Sequence, residues 1–155
     1  MTTTLEDAVA LEAIVKKTKR FMGVNYTYSG YPMVHEAREM VAAGLLGAIR
    51  VVQVEYPLEW MATAIETQGN AQAAWRTDPK KSGRGGPSQV AIGCSNGVRL
   101  RVFGEKGSLT WFQEQPNELE FTKLMGRTER IMRGADDLSE SAKVRTRTPP
   151  GHPEG

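Results

Sequence analysis

The chain has 155 residues, 39% of them hydrophobic, with 20 Lys+Arg against 18 Asp+Glu and a formal charge of +2. That length suits one domain with a buried core, and nearly balanced charge argues against a nucleic-acid partner, which needs a concentrated basic face. A single cysteine, Cys94, excludes an internal disulfide framework and fits a reducing compartment. No apolar run of about 18 residues is present to form a transmembrane helix. The polar, acidic start is unlike a secretory signal, so a soluble, cytoplasmic chain with no membrane partner is expected.

Leu5, Ala8, Leu11 and Val15 recur at spacings of three and four, which predicts a helix over 5–18. Thr4 with Asp7 three places on resembles a capping box, and Lys16, Lys17 and Lys19 stand where the helix dipole favours cations. Arg20 to Tyr26 reads as a short buried strand, giving half of an α/β repeat for which no parallel neighbour is evident. Pro32 suits the first turn of a second helix that runs to Ala43 and stops at Gly44, with Met33, Ala37, Met40 and Val41 as its apolar stripe. Ile49 to Tyr56 reads as a strand with Val52, Val54 and Tyr56 on one face. Residues 57–89 lose periodicity and are too long for an idle connector. Val98, Leu100 and Val102 alternate with Arg99, Arg101 and Phe103. Turns at Gly104-Glu105-Lys106-Gly107 and Gln115-Pro116-Asn117 then lead to strands at 108–113 and 119–121, an antiparallel meander. From about Arg127 the chain is polar and is expected to be loosely ordered.

Chemistry-bearing residues are few. His35-Glu36 begins like a metalloprotease helix, but position 39 is Glu, so a solvated helix residue is the better reading. His152 lies in a Pro/Gly segment, and no His/Cys/carboxylate cluster has metal spacing, so no metal site is expected. Cys94 has no motif around it and reads as a half-buried thiol. Gly83-Arg84-Gly85-Gly86 is not a dinucleotide fingerprint, because no strand enters it and no helix follows. Trp75-Arg76-Thr77-Asp78-Pro79 either clamps a polyol or carboxylate, through bidentate hydrogen bonds and ring stacking, or is a surface turn with an Arg–Asp pair. Tyr26, Tyr28 and Tyr31 either line a sugar-sized pocket or cover a helix–sheet junction.

Several segments, taken in order, resemble the Gfo/Idh/MocA family of NAD(P)-dependent oxidoreductases. They are Val24 to Pro32, Ala37 to Arg50, Trp75-Arg76-x-Asp78-Pro79-x-x-Ser82-Gly83-x-Gly85-Gly86, Gly104 to Leu109, and Gly151 to Gly155. The resemblance implies a sugar or cyclitol substrate and an NAD or NADP cofactor for a full-length member, and a homo-oligomer built through the C-terminal sheet. It also marks departures. Family members carry a complete Rossmann domain, a catalytic Glu-Lys-Pro lysine and an Asp-x-Gly-x-His segment. The chain is expected to start just after that lysine. Here Gly86 runs into Pro87-Ser88-Gln89-Val90-Ala91, which looks like a later strand, so several strands are expected to be missing between.

The expected fold is α+β, a mostly antiparallel sheet packed against helices and preceded by a remnant α/β unit. Residues 1–28 are the remnant, 29–126 an incomplete C-terminal domain and 127–155 a polar tail. Tyr26, Tyr28, Trp75, Arg76 and Asp78 are the substrate-side pocket candidates. No catalytic residue and no cofactor-binding residue is assigned, and no bound cofactor is expected for this chain alone. The alternative to an enzyme fragment is a non-catalytic oligomerisation or interaction module.

Overall fold

A computed structural model of the chain describes residues 2–57, 59, 63–83, 97–150 and 152. The chain divides into two compact units, Met1–Asn25 with Pro57–Ser95 and Tyr26–Tyr56 with Asn96–Gly155. Cys94 and the Gly86–Gln89 junction lie outside the described residues.

In the first unit, α1 (Leu5–Thr18) forms where the apolar spacing predicts. The Thr4 hydroxyl accepts from Asp7 N at 3.1 Å and donates to the Asp7 carboxylate at 2.8 Å, satisfying one of the helix's free N–H groups. Lys19 ends the helix in the left-handed region at φ 53°, its N–H donating to Val15 O. The strand expected over 20–26 is not formed: these residues are irregular and Phe21 is 98% exposed. A strand needs a neighbour for its N–H and C=O groups, and among the described residues none pairs with this segment. Beyond it lie a 3₁₀ turn (Ile65–Gln68) and two short helices, α3 (Ala71–Thr77) and α4 (Pro79–Ser82).

The second unit is an open antiparallel sheet covered on one face. A 3₁₀ turn (Thr27–Gly30) leads into α2 (Pro32–Ala42), which starts on Pro32 at its first turn as expected. The strands β1 (Ile49–Glu55), β2 (Arg99–Gly104), β3 (Gly107–Phe112), β4 (Glu118–Lys123) and β5 (Thr128–Met132) neighbour one another in chain order. Period-two alternation sends Val102, Leu109, Trp111, Leu119 and Phe121 to one face, where they bury against Met33, Ala37 and Met40 of α2. Burying each such side chain contributes about 1.5–3 kcal/mol. Trp111 keeps its indole N–H satisfied at Pro116 O, 3.1 Å away. Gly104 lets the β2–β3 hairpin approach the end of α2: a Cβ there would stand 2.2 Å from Leu46 O. Lys106 N and Glu105 N complete that junction by donating to Leu46 O and Ala48 O.

The segment from Thr128 is a correction to the expected loose tail. It supplies β5 and a short helix, α5 (Glu140–Lys143), and places Leu138 and Ala142 in the core. Polar composition misled because β5 is an edge strand whose burial is slight, and α5 spends only one small residue, Ala142, on the core. The partition also shifts: residues 57–83 group with the N-terminal residues and not with the sheet, while Tyr26–Tyr28 group with the sheet.

Candidate functional site

The five pocket candidates fall into the two units. Tyr26 and Tyr28 belong to the sheet unit, Trp75, Arg76 and Asp78 to the other. In the sheet unit Tyr28 and Tyr56 share a hydroxyl–hydroxyl hydrogen bond of 2.7 Å and meet edge to face, ring centroids 5.5 Å apart. Tyr26 is 60% exposed, and its carbonyl accepts from Ser29 N and Oγ. Tyr31 packs on Trp111 with centroids 5.2 Å apart, which is the helix–sheet covering role. Tyr56, the residue just after β1, is the partner that sequence reasoning missed; its place on the Val52/Val54 face was the available signal.

In the other unit the Arg76 guanidinium lies 4.6 Å from the centre of the Trp75 ring. Asp78 caps α4: its Oδ1 accepts from Lys80 N at 3.0 Å, and its other oxygen stands 3.7 Å from Lys81 Nζ. Pro79 follows at the first helical position, which explains the Asp-Pro order. The carboxylate is therefore engaged in local structure, while Trp75 and Arg76 present a stacked aromatic–cation surface. Residues 84–86 of the glycine loop lie outside the described residues.

His35 is the described imidazole nearest to chemistry. Its Nδ1 is 3.1 Å from Ser141 Oγ, tying α2 to α5. Burial first, then the Arg145 and Arg38 charges, hold its pKa below the ordinary histidine value, against a hydrogen bond to the Ser29 backbone and the Glu39 carboxylate. Next to it Glu36, 8% exposed, accepts from Ser139 N at 2.8 Å at the start of α5. Both residues thus carry packing contacts, which corrects the reading of His35 as a solvated helix residue: it is half-buried between α2 and α5. Among the described residues no group of three His, Cys, Asp or Glu side chains is placed to hold a metal ion.

The uncovered face of the sheet carries charge in stripes. Arg99 and Arg101 stand on β2, Thr110 and Phe112 on β3, and Glu118 and Glu120 on β4, around a shallow cleft of about 350 Å³. Arg99 stacks on Phe112 at 4.8 Å, Arg101 is bonded to Glu55, and Arg130 Nε is 3.3 Å from Glu118.

Sheet order and helical cover together define an α+β domain like the C-terminal part of the Gfo/Idh/MocA-type oxidoreductases. Comparison with known proteins gives the particulars. The uncharacterized oxidoreductase YfiI of Bacillus subtilis (strain 168) is 23% identical over 203 residues, covering 94% of this chain and 52% of that protein. The inositol dehydrogenase homolog of Azotobacter vinelandii, solved in complex with NAD+, superposes with a TM-score of 0.83 at 26% identity over 98% of this chain and 54% of that one. An oxidoreductase of Sinorhizobium meliloti gives 0.75 at 31% identity, over 99% and 54%. No family model matches the chain. The chain thus spans about half the length of the relatives it matches. Since the YfiI match runs over 203 residues and this chain has 155, at least 48 positions of that match have no counterpart here.

Proposed function

We propose that the chain is a fragment of an NAD(P)-dependent oxidoreductase of the sugar or inositol dehydrogenase type, and that it is inactive alone. The observation that carries this reading is a match over nearly the whole chain to only half of such enzymes. The proposed substrate class is a sugar or cyclitol, and the proposed location is the cytoplasm, in keeping with the lone Cys94. No described helix is long and apolar enough to cross a membrane.

Hydride transfer needs a nicotinamide site and a proton donor or acceptor beside the substrate hydroxyl. The described residues do not fit a dinucleotide. A pyrophosphate needs the bare N-terminus of a helix entered from a strand through glycines. Here α1 is capped by Thr4 and α4 by the Asp78 carboxylate, which itself fills the place of an anion, while α2, whose N-terminus has no side-chain cap, is entered from a 3₁₀ turn and not from a strand. The two histidines are His35, engaged with Ser141, and His152, whose carbonyl accepts from Arg133. Tyr26, Tyr28, Trp75, Arg76 and Asp78 are the remaining substrate-side candidates. NADH fluorescence titration together with assays over inositols and aldoses is expected to show neither tight binding nor turnover; measurable turnover by the purified chain overturns the reading.

A second reading, assembly through the sheet, is favoured by the striped open face. A two-fold axis running along β3 would lay the basic β2 stripe of one copy over the acidic β4 stripe of the other, Arg101 above Glu120. Light scattering is expected to find dimers that Glu120→Arg dissociates. A particle that stays monomeric at high concentration counts against it.

A further inference from the structure

We propose that the cleft running along α2 in the sheet unit binds an aliphatic zwitterion, a short chain with an ammonium group at one end and a carboxylate at the other. This does not rest on the oxidoreductase reading, since it uses none of the substrate-side candidates and is tested by binding alone. Glu36 carries the argument. It is 8% exposed, yet it lines a cleft of about 510 Å³, a volume in the range of small-molecule sites. Taking a carboxylate out of water is costly unless a cation or several hydrogen bonds replace that water. Among the described residues Glu36 has no cationic partner, and its one hydrogen bond comes from Ser139 N at 2.8 Å. An ionised carboxylate accepts through both oxygens, so the second is left for what occupies the cleft. Asp137, two residues before Ser139, lines the same end with a further carboxylate.

The rest of the lining changes character along the helix. Met40 follows Glu36 by one turn on the same face, and with Phe121 and Leu138 it supplies apolar walls. Lys106 stands beyond them. Its N–H donates to Leu46 O, past the C-terminal end of α2, and a Cβ on Gly47 would meet its Cγ at 2.9 Å. The rise from Glu36 to Ala42 alone is about 9 Å, so the acidic and basic ends lie a short aliphatic chain apart. Neither Asp137 nor Lys106 has an ion-pair partner among the described residues, whereas Lys123 and Glu129 at the rim pair with each other at 3.6 Å. The uncompensated charges are therefore negative at one end and positive at the other. A fatty carboxylate would leave Glu36 uncompensated and an alkylamine would leave Lys106 so; a zwitterion meets both.

The test is titration of the full chain with 6-aminohexanoate, followed by calorimetry and by the NMR signal of the Met40 methyl group. Saturable binding that moves the Met40 signal is expected, with hexanoate and hexylamine each weaker by roughly tenfold or more. Glu36→Gln keeps an acceptor for Ser139 N and removes the charge, and should also weaken binding roughly tenfold or more. Lys106→Met, at an exposed position, should weaken 6-aminohexanoate while leaving hexylamine unchanged. Circular dichroism checks that each variant folds, and if Glu36→Gln does not, the comparison of the three ligands and Lys106→Met decide. A Met40 signal that 6-aminohexanoate does not move overturns the proposal. So does hexanoate or hexylamine binding as tightly as the zwitterion, or a folded Glu36→Gln chain with the affinity of the parent.

Discussion

His35 sits where charge is disfavoured, between the surrounding packing and the guanidinium groups of Arg145 and Arg38. Its folded pKa lies below its unfolded value, so the unfolded chain binds the proton more readily. Stability is then at its full value above the unfolded pKa of about 6.5 and falls as pH drops below it. Glu39 and the Ser29 backbone oppose the shift without reversing it. Chemical denaturation at pH 8 and pH 5 should show the acid loss, and His35→Gln should flatten it while keeping a hydrogen-bonding group near Ser141. A histidine variant with the same pH dependence as the parent would show that other groups govern the acid limb. The sequence placed His35 on a helix and dismissed it as a ligand. It could not show Ser141, which is 106 residues away along the chain.

At the scale of elements, signals that are local in sequence were legible. Helix α1 with its Thr4–Asp7 cap, α2 with Pro32 at its start, and the β2–β3–β4 meander all follow from periodicity and turn residues within a few positions. What depended on distant partners was not. Residues 20–26 have strand-like composition and no neighbour to pair with, whereas β5 has unremarkable composition and a neighbour in β4. Arg133, just beyond β5, shows what tethers this polar end of the chain. It is 3% exposed; Nε donates to Asn117 Oδ1 at 2.9 Å, Nη1 to Thr148 O at 2.6 Å, and Nη2 to Pro149 O and His152 O at 3.2 and 2.7 Å. One guanidinium fork thus binds the end of the chain to the turn before β4, and only arginine has donors in that fixed array. Arg133→Met is expected to cost on the order of 1–3 kcal/mol, because the hydrogen bonds made by a buried guanidinium are lost. Arg133→Lys should recover only part of it. Equal stability of Arg133→Met and the parent in urea titrations would remove this anchor from the account.

Over the whole molecule, apolar burial is uneven. The sheet unit holds the cluster from Met33 to Ala142, whereas Ala73 is the buried hydrophobic residue among those described in the other unit. Helix α1 has fourteen residues and none of them is buried. Isolated helices of about 12–15 residues are marginal in water, and cap and ion-pair contributions such as Thr4 and the 2.7 Å Lys16–Glu12 pair add only about 1 and 0.3–0.5 kcal/mol. The stability of β3 and β4 rests instead on Leu109, Trp111, Leu119 and Phe121, so opening those strands means losing the core. Native-state hydrogen exchange should therefore separate the two. Amides of α1 should exchange at near-intrinsic rates, since opening that helix exposes little apolar surface, while β3 and β4 amides exchange only through global unfolding. Denaturant should accelerate exchange in β3 and β4 with the full unfolding dependence and in α1 with almost none. Protection in α1 equal to that in β3, with the same denaturant dependence, would mean that both units unfold as one cooperative body.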